Sequence, residues 1–174
     1  MLYKTCFESP VGELMLASSL DGIVGLWIKG QKYYGLGIAQ DMQETPDNPV
    51  LAKAKDWLAR YFSQMKPAIS ELPLAPQGSA FRQEVWQMLC AIPYGEVDTY
   101  GAISKRMKTY ASAQAVGGAV GHNPISIIIP CHRVVGKSGS LTGYAAGIET
   151  KKRLLELEGV DMSGLYEPKT GTAL

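Results

Sequence analysis

Three consecutive isoleucines, Ile127, Ile128 and Ile129, run straight into Pro130. A β-branched run with no polar position leaves no face for water, so whatever it forms is buried on all sides. The pattern predicts a buried strand over residues 127–129. Pro130 removes a backbone donor and fixes φ, which ends that strand or places it at an edge. A thiol, an imidazole and a guanidinium follow at once as Cys131, His132 and Arg133. An isolated cysteine is most often a small core residue. At the exit of a rigid element, among cationic neighbours, a thiolate is easier to form, and the Pro-Cys-His-Arg run points to chemistry. Adjacent residues on an extended chain face opposite ways, so His132 reaches the thiol either through a turn at Pro130 or through one water. The water relay is the favoured arrangement.

At 174 residues the chain forms one domain or two small ones, with enough length for a real core. Residues 1–8, 14–17 and 23–28 predict strands, and Asp21-Gly22 between the last two is a hairpin signal. Residues 30–48 are poorly patterned and predict a loop with room for a short helix. Val50, Leu51, Ala54, Trp57, Leu58, Tyr61 and Phe62 recur at helical spacing behind an Asn48 cap and Pro49, giving an amphipathic helix. Residues 72–78 read as a linker, and the domain boundary is placed there: 1–76 as an α/β scaffold, 77–174 as the functional part.

Ser79 caps a helix whose inner stripe is Phe81, Val85, Trp86, Leu89 and Cys90. Two short helices follow, over residues 99–107 and, behind a Ser112 cap, up to Val120; the tight turn between them is helix-turn-helix spacing. Ala113, Ala115, Gly117, Gly118 and Ala119 give the second helix almost no bulk, which allows close approach to a neighbouring strand or to a narrow groove. Base reading in a major groove needs long polar side chains, and Gln114 alone qualifies. Residues 136–140 predict a flexible loop, residues 149–159 a last helix, and residues from Val160 onward a mobile tail.

Charge separates the two halves. The net charge is +1, yet residues 101–153 carry eight basic side chains against Glu149, a local +7, while residues 1–100 hold 8 basic and 11 acidic groups. A basic half on a near-neutral protein can take a polyanion. Cys6, Cys90 and Cys131 are odd in number and far apart, which predicts reduced thiols. With two histidines and no paired cysteines, four metal ligands are hard to assemble, and no metal is expected. Neither a membrane span nor a leader is read from the sequence, so the expected compartment is the cytosol.

The Pro-Cys-His-Arg run, with Gly117-Gly118 and Asn123-Pro124 upstream, closely resembles the O6-alkylguanine-DNA alkyltransferases over residues 81–159, and residues 1–76 resemble their amino-terminal domain more loosely. The resemblance implies an α+β fold: a small amino-terminal sheet-and-helix domain of ribonuclease H-like form, then a mostly helical domain with a helix-turn-helix. It implies suicidal repair of double-stranded DNA containing O6-alkylguanine, with the alkyl group ending on Cys131, no cofactor, and no membrane or obligate protein partner. His132 would take the thiol proton and Glu158 would orient the imidazole. Tyr100 would crowd the rotating phosphate and bond the flipped guanine, and Asn123 would tie the turn to the active-site segment. Pro130, Val134, Tyr144 and Ala145 would surround the base. Ala113, Gln114, Ala115, Gly117, Gly118 and Tyr100 would meet DNA, Gln114 standing where the family usually has an arginine finger; Arg133 would brace strands or contact DNA phosphate rather than take part in catalysis. Two other classes compete: a cysteine hydrolase, which a tandem Cys-His fits poorly, and a non-catalytic helix-turn-helix module.

Overall fold

A computed structural model describes residues 1–35 and 42–168. It divides into two compact units, Met1–Gln77 with Pro124–Ile128, and Gly78–Asn123 with Ile129–Leu174.

The first unit is built on a four-stranded sheet of order β3-β2-β1-β4. Strands β1 (Leu2–Ser9), β2 (Gly12–Ser18) and β3 (Ile23–Ile28) form an antiparallel meander. The Asp21-Gly22 turn closes with the Ser19 N–H donating to the Gly22 carbonyl at 2.9 Å. β4 (Met42–Glu44) adds parallel to β1, in a region where the sequence pattern predicts loop; residues 36–41 lie outside the described part. Helix α1 (Pro49–Phe62) starts where Asn48 Oδ1 accepts from the Val50 and Leu51 N–H groups, and it buries Leu51, Ala54, Trp57, Leu58 and Tyr61. The supposed linker is pinned along β3: Ile23 N–H donates to Pro73 O and Ala75 N–H donates to Ile23 O, both at 2.8 Å.

The isoleucine run departs from expectation. Residues 126–128 form a turn, with Ile127 at φ +71°, a conformation that strongly disfavours a β-branched side chain. The strand-like pairing occurs just before it, where Ile125 bridges Leu26 of β3 in parallel. All three isoleucines are nonetheless buried. A uniformly apolar run dictates burial and is silent on backbone shape, because it has no alternation to read.

The second unit is helical. Ser79 Oγ caps α2 (Ala80–Cys90) through Arg82 N–H at 3.2 Å. β5 (Asp98–Thr99) leads into α3 (Tyr100–Arg106), and Ser112 Oγ caps α4 (Ala113–Gly121) through Ala115 N–H at 3.0 Å. Trp86 Nε1 donates to Ala119 O at 2.8 Å and ties α2 to α4. β6 (Val134–Val135) pairs in parallel with β5. α5 (Ile148–Leu157) ends before Gly159, whose φ of +76° suits a residue without Cβ.

Two further expectations are corrected here. The 136–140 segment is a closed 3₁₀ turn, with Gly136 N–H donating to Ser140 O at 2.7 Å. The chain after Val160 is not a loose tail as far as Pro168. Leu141 N–H donates to Tyr166 O at 2.8 Å and Tyr166 N–H to Gly139 O at 3.1 Å, and Val160, Met162 and Leu165 pack with Val135, Leu141 and Leu155.

Candidate active site

The site grows from a single 3₁₀ turn, Cys131–Arg133, that opens after Pro130. The chain bends at Pro130, so Cys131 and His132 are not on opposite faces of a strand. Cys131 is 7% exposed. Asn123, just past the end of α4, donates from Nδ2 to Ile129 O at 2.8 Å and also bonds the thiol. One side chain therefore fixes both the carbonyl before Pro130 and the sulfur after it.

His132 is fully buried, and its Nε2 lies 2.5 Å from Glu158 Oε2. Glu158 sits at the carboxyl end of α5 and gathers three partners. Arg133 donates to it from Nε at 2.8 Å and from Nη2 at 3.2 Å, and Gly95 donates its N–H to Oε1 at 3.1 Å. Arg133 also donates from Nη1 to Ile92 O at 2.7 Å and lies over the Tyr94 ring, 5.7 Å from its centroid. With Arg133 at 4% exposure, its expected contact with DNA is corrected: the guanidinium is a buried brace for the carboxylate.

The electrostatics follow from burial and these pairs. Burial alone would raise the Glu158 carboxyl; the bonds and charges of His132 and Arg133 outweigh it and bring the group down to about 2. Burial pushes His132 below its ordinary value against the pull of Glu158. The Cys131 thiol is pushed up by burial, opposed by Asn123 and by the charge of Lys151. The cationic neighbour that eases the thiolate is Lys151, Arg133 being committed to Glu158, and at rest burial outweighs it.

Lys151 is the participant that sequence reading missed. Counted there only as one of the eight basic side chains of residues 101–153, it is 1% exposed and donates from Nζ to the carbonyls of Val134, at 2.5 Å, and Thr142, at 2.8 Å. Burial lowers it to about 8, with Cys131 acting in the opposite sense. Tyr100 is buried on α3, donates from its hydroxyl to Thr142 O at 3.2 Å, and is raised to about 12 by burial. A signal for Lys151 did exist: it shares one helical stripe with Ile148, Leu155 and Glu158, and a charged residue on an apolar stripe is an anomaly worth following.

The loop beyond Thr142 completes the pocket wall. Tyr144 OH and Thr142 Oγ1 are buried without a hydrogen-bond partner among the described residues, and burial drives the Tyr144 phenol well above its ordinary value. A Cβ on Gly143 would lie 3.3 Å from Tyr100 OH. Ala145 is half-buried on the same loop. On α4, Ala113, Gln114, Ala115 and Gly118 are exposed and Gly117 is half-buried, and a Cβ on Gly118 would meet nothing within 4 Å. The small-residue face is open and does not serve internal packing.

Comparison with known proteins now decides the family. The model of the 6-O-methylguanine DNA methyltransferase DNA-binding domain matches residues 80–160, and that of the family's ribonuclease-like domain matches residues 2–76. The chain belongs to the 6-O-methylguanine DNA methyltransferase family. A methylated-DNA–protein-cysteine methyltransferase of Haemophilus influenzae is 42% identical, over 91% of this chain and 87% of the relative. One of Mycobacterium tuberculosis is also 42% identical, over 91% and 93%. The crystal structure of the Mycobacterium tuberculosis OGT in complex with DNA superposes with a TM-score of 0.80 at 39% identity, covering 90% of this chain and 92% of that one. The family models agree with the expected fold class, a ribonuclease-like sheet domain and a helical DNA-binding domain. Among the described residues no helix is long and apolar enough to cross a membrane.

Proposed function

We propose that this chain reverses O6-alkylation of guanine in duplex DNA by one irreversible transfer of the alkyl group to Cys131. The observation that carries this reading is a buried thiol held by Asn123 beside a His132–Glu158 pair at 2.5 Å. With Nε2 of His132 donating to Glu158, the ring's Nδ1 is the acceptor, and the thiol proton passes to it through one water. The sulfur attacks the alkyl carbon, an S–C bond forms, and the C–O6 bond breaks. The proton returns to the departing base, which leaves as ordinary guanine. The product is a thioether, so each molecule acts once.

The buried thiol requires the base to leave the duplex stack. Tyr100, Pro130, the Val134 carbonyl, Tyr144 and the Ala145 N–H are the groups we assign to the extruded base. The buried, unpartnered Tyr144 hydroxyl suits the O6 position, where negative charge develops. The open face of α4, with Gln114 filling the gap, is assigned to the minor groove. DNA binding and transfer fall to residues 77–174, and residues 1–76 act as scaffold.

Intact-protein mass spectrometry after incubation with duplex DNA carrying one O6-methylguanine tests the proposal. A gain of one methyl group per chain, absent in Cys131→Ala, is the expected result. An unchanged mass with the lesion still in the DNA overturns it.

A further inference from the structure

Tyr110 is 95% exposed, the most exposed large hydrophobic side chain among the described residues. A solitary exposed aromatic is ordinary; this one is held out by a pinned backbone. Met107 and Ala111 on either side of it are buried. Glu84 Oε1 accepts the Lys108 N–H at 2.7 Å, and Ser104 Oγ donates to Ala111 O at 2.8 Å. Two residues further on, Ser112 caps α4. The turn is therefore fixed to α2 and α3, and the ring projects from it into solvent. Its exposed neighbours are Lys105, Arg106, Lys108 and Thr109, three cations and a hydroxyl.

We infer that Tyr110 is a DNA-contact residue whose ring packs on a deoxyribose of the backbone bordering the groove that α4 enters. The inference rests on the proposed function and adds a contact to it. α4 has 9 residues, about 13 Å of helix, whereas a minor groove is about 6 Å wide. A helix longer than the groove is wide carries the turn ahead of its Ser112 cap past the groove floor and onto the rim. The rim offers sugar and phosphate and no base edge. A flat ring suits the apolar sugar face, and the flanking lysines suit the phosphates on either side.

The test uses the full chain as Tyr110→Ala, Tyr110→Phe and Lys108→Ala, with affinity for an undamaged duplex measured by fluorescence anisotropy from 50 to 200 mM salt. Transfer from free O6-benzylguanine is measured in parallel, since a free base needs no DNA contact. Tyr110→Ala is expected to weaken duplex binding about tenfold, with an unchanged salt slope and unchanged free-base transfer. Tyr110→Phe should stay within about twofold of the parent, and Lys108→Ala should lower the salt slope by about 1. Wild-type affinity in Tyr110→Ala overturns the inference. So does a Phe variant as weak as the Ala variant, which would make the contact a hydroxyl–phosphate bond, and so does loss of free-base transfer, which would make Tyr110 a structural residue. Failure of the parent protein to accept the alkyl group at all would instead sink the proposed function.

Discussion

Replacing Glu158 with Gln keeps the shape of the side chain and removes the charge that His132 and Arg133 share. Two consequences can be sized from the structure. The first is stability. The carboxyl is held at about 2 in the fold against an ordinary value of 4.5, a difference worth about 3 kcal/mol at neutral pH. Leaving Arg133 buried beside a neutral amide gives the same order, since breaking one side of a buried ion pair costs about 3–5 kcal/mol. At 174 residues this lowers the melting temperature by about 10 °C. The sign with pH is definite. A carboxyl depressed in the fold stabilises above pH 4.5, and that stability drains away as pH falls towards 2. His132, also lowered in the fold, weakens both proteins from about pH 6.5 downward, and the variant no less than the parent, because Glu158 is what holds the imidazole up. The gap between the two melting temperatures should therefore narrow only below about pH 4.5, as acid protonates the carboxyl of the parent. The second consequence is chemical. The amide of the Glu158→Gln variant offers its N–H to the imidazole, favours the wrong tautomer, and no longer supports the imidazolium. Stopped-flow alkylation should slow at least about 100-fold with duplex affinity unchanged. Parent-like alkylation, or equal melting temperatures at pH 7, would refute the assignment of Glu158 as the shared anchor.

Other perturbations give equally definite outcomes. Lys151→Met takes the side-chain donor from the buried Val134 carbonyl, while Thr142 O keeps the Tyr100 hydroxyl; chemical denaturation should show a loss of about 1–3 kcal/mol, and an unchanged midpoint would contradict it. Because burial raises the Cys131 thiol, the alkylation rate should climb as pH is taken from 7 to 9, and a flat profile would mean that thiolate supply does not limit the rate. Gly139→Ala would place a Cβ 2.0 Å from Gly164 O at a φ of +92°; differential scanning should report a melting temperature several degrees lower, whereas a neutral result would deny that the 160–166 segment is docked. Asn123→Ala should slow transfer and raise the pH needed for half-maximal rate, read from the same stopped-flow profile.

Local signals in the chain are legible where one residue type does one job. Asn48, Ser79 and Ser112 mark helix starts because a short polar side chain satisfies an orphan N–H, and Asp21-Gly22 marks its turn by backbone permissiveness. The Cys131-His132 pair stands out as chemistry, and Glu158 is placed through family likeness. Long-range partners are not legible. The two-residue strands Asp98–Thr99 and Val134–Val135 are too short to carry a period, and β4 lies in a stretch with no pattern. Arg133 and Lys151 look like members of a basic half, because sequence records a charge and not whether a carboxylate or a pair of carbonyls waits for it inside. The strand expected at Ile127 fails because nothing in an isoleucine announces a positive φ.

The placement of Pro124–Ile128 in the first unit bears on how the protein is made. Within that unit Leu26 N–H donates to Pro124 O at 2.9 Å and Ser126 N–H donates to Leu26 O at 3.0 Å, so β3 has its outer edge covered by residues that emerge much later from the ribosome. A nascent chain that has reached Gln77 can cover the Ile23 end of that edge with Pro73–Ala75 but holds the Leu26 end bare, and at ordinary synthesis rates several seconds pass before Ile125 can arrive. During that interval an apolar strand edge is open to pairing with other chains. Yield in vivo should therefore respond to chaperone supply, and a fragment ending at Gln77 should be the aggregation-prone product of any premature stop.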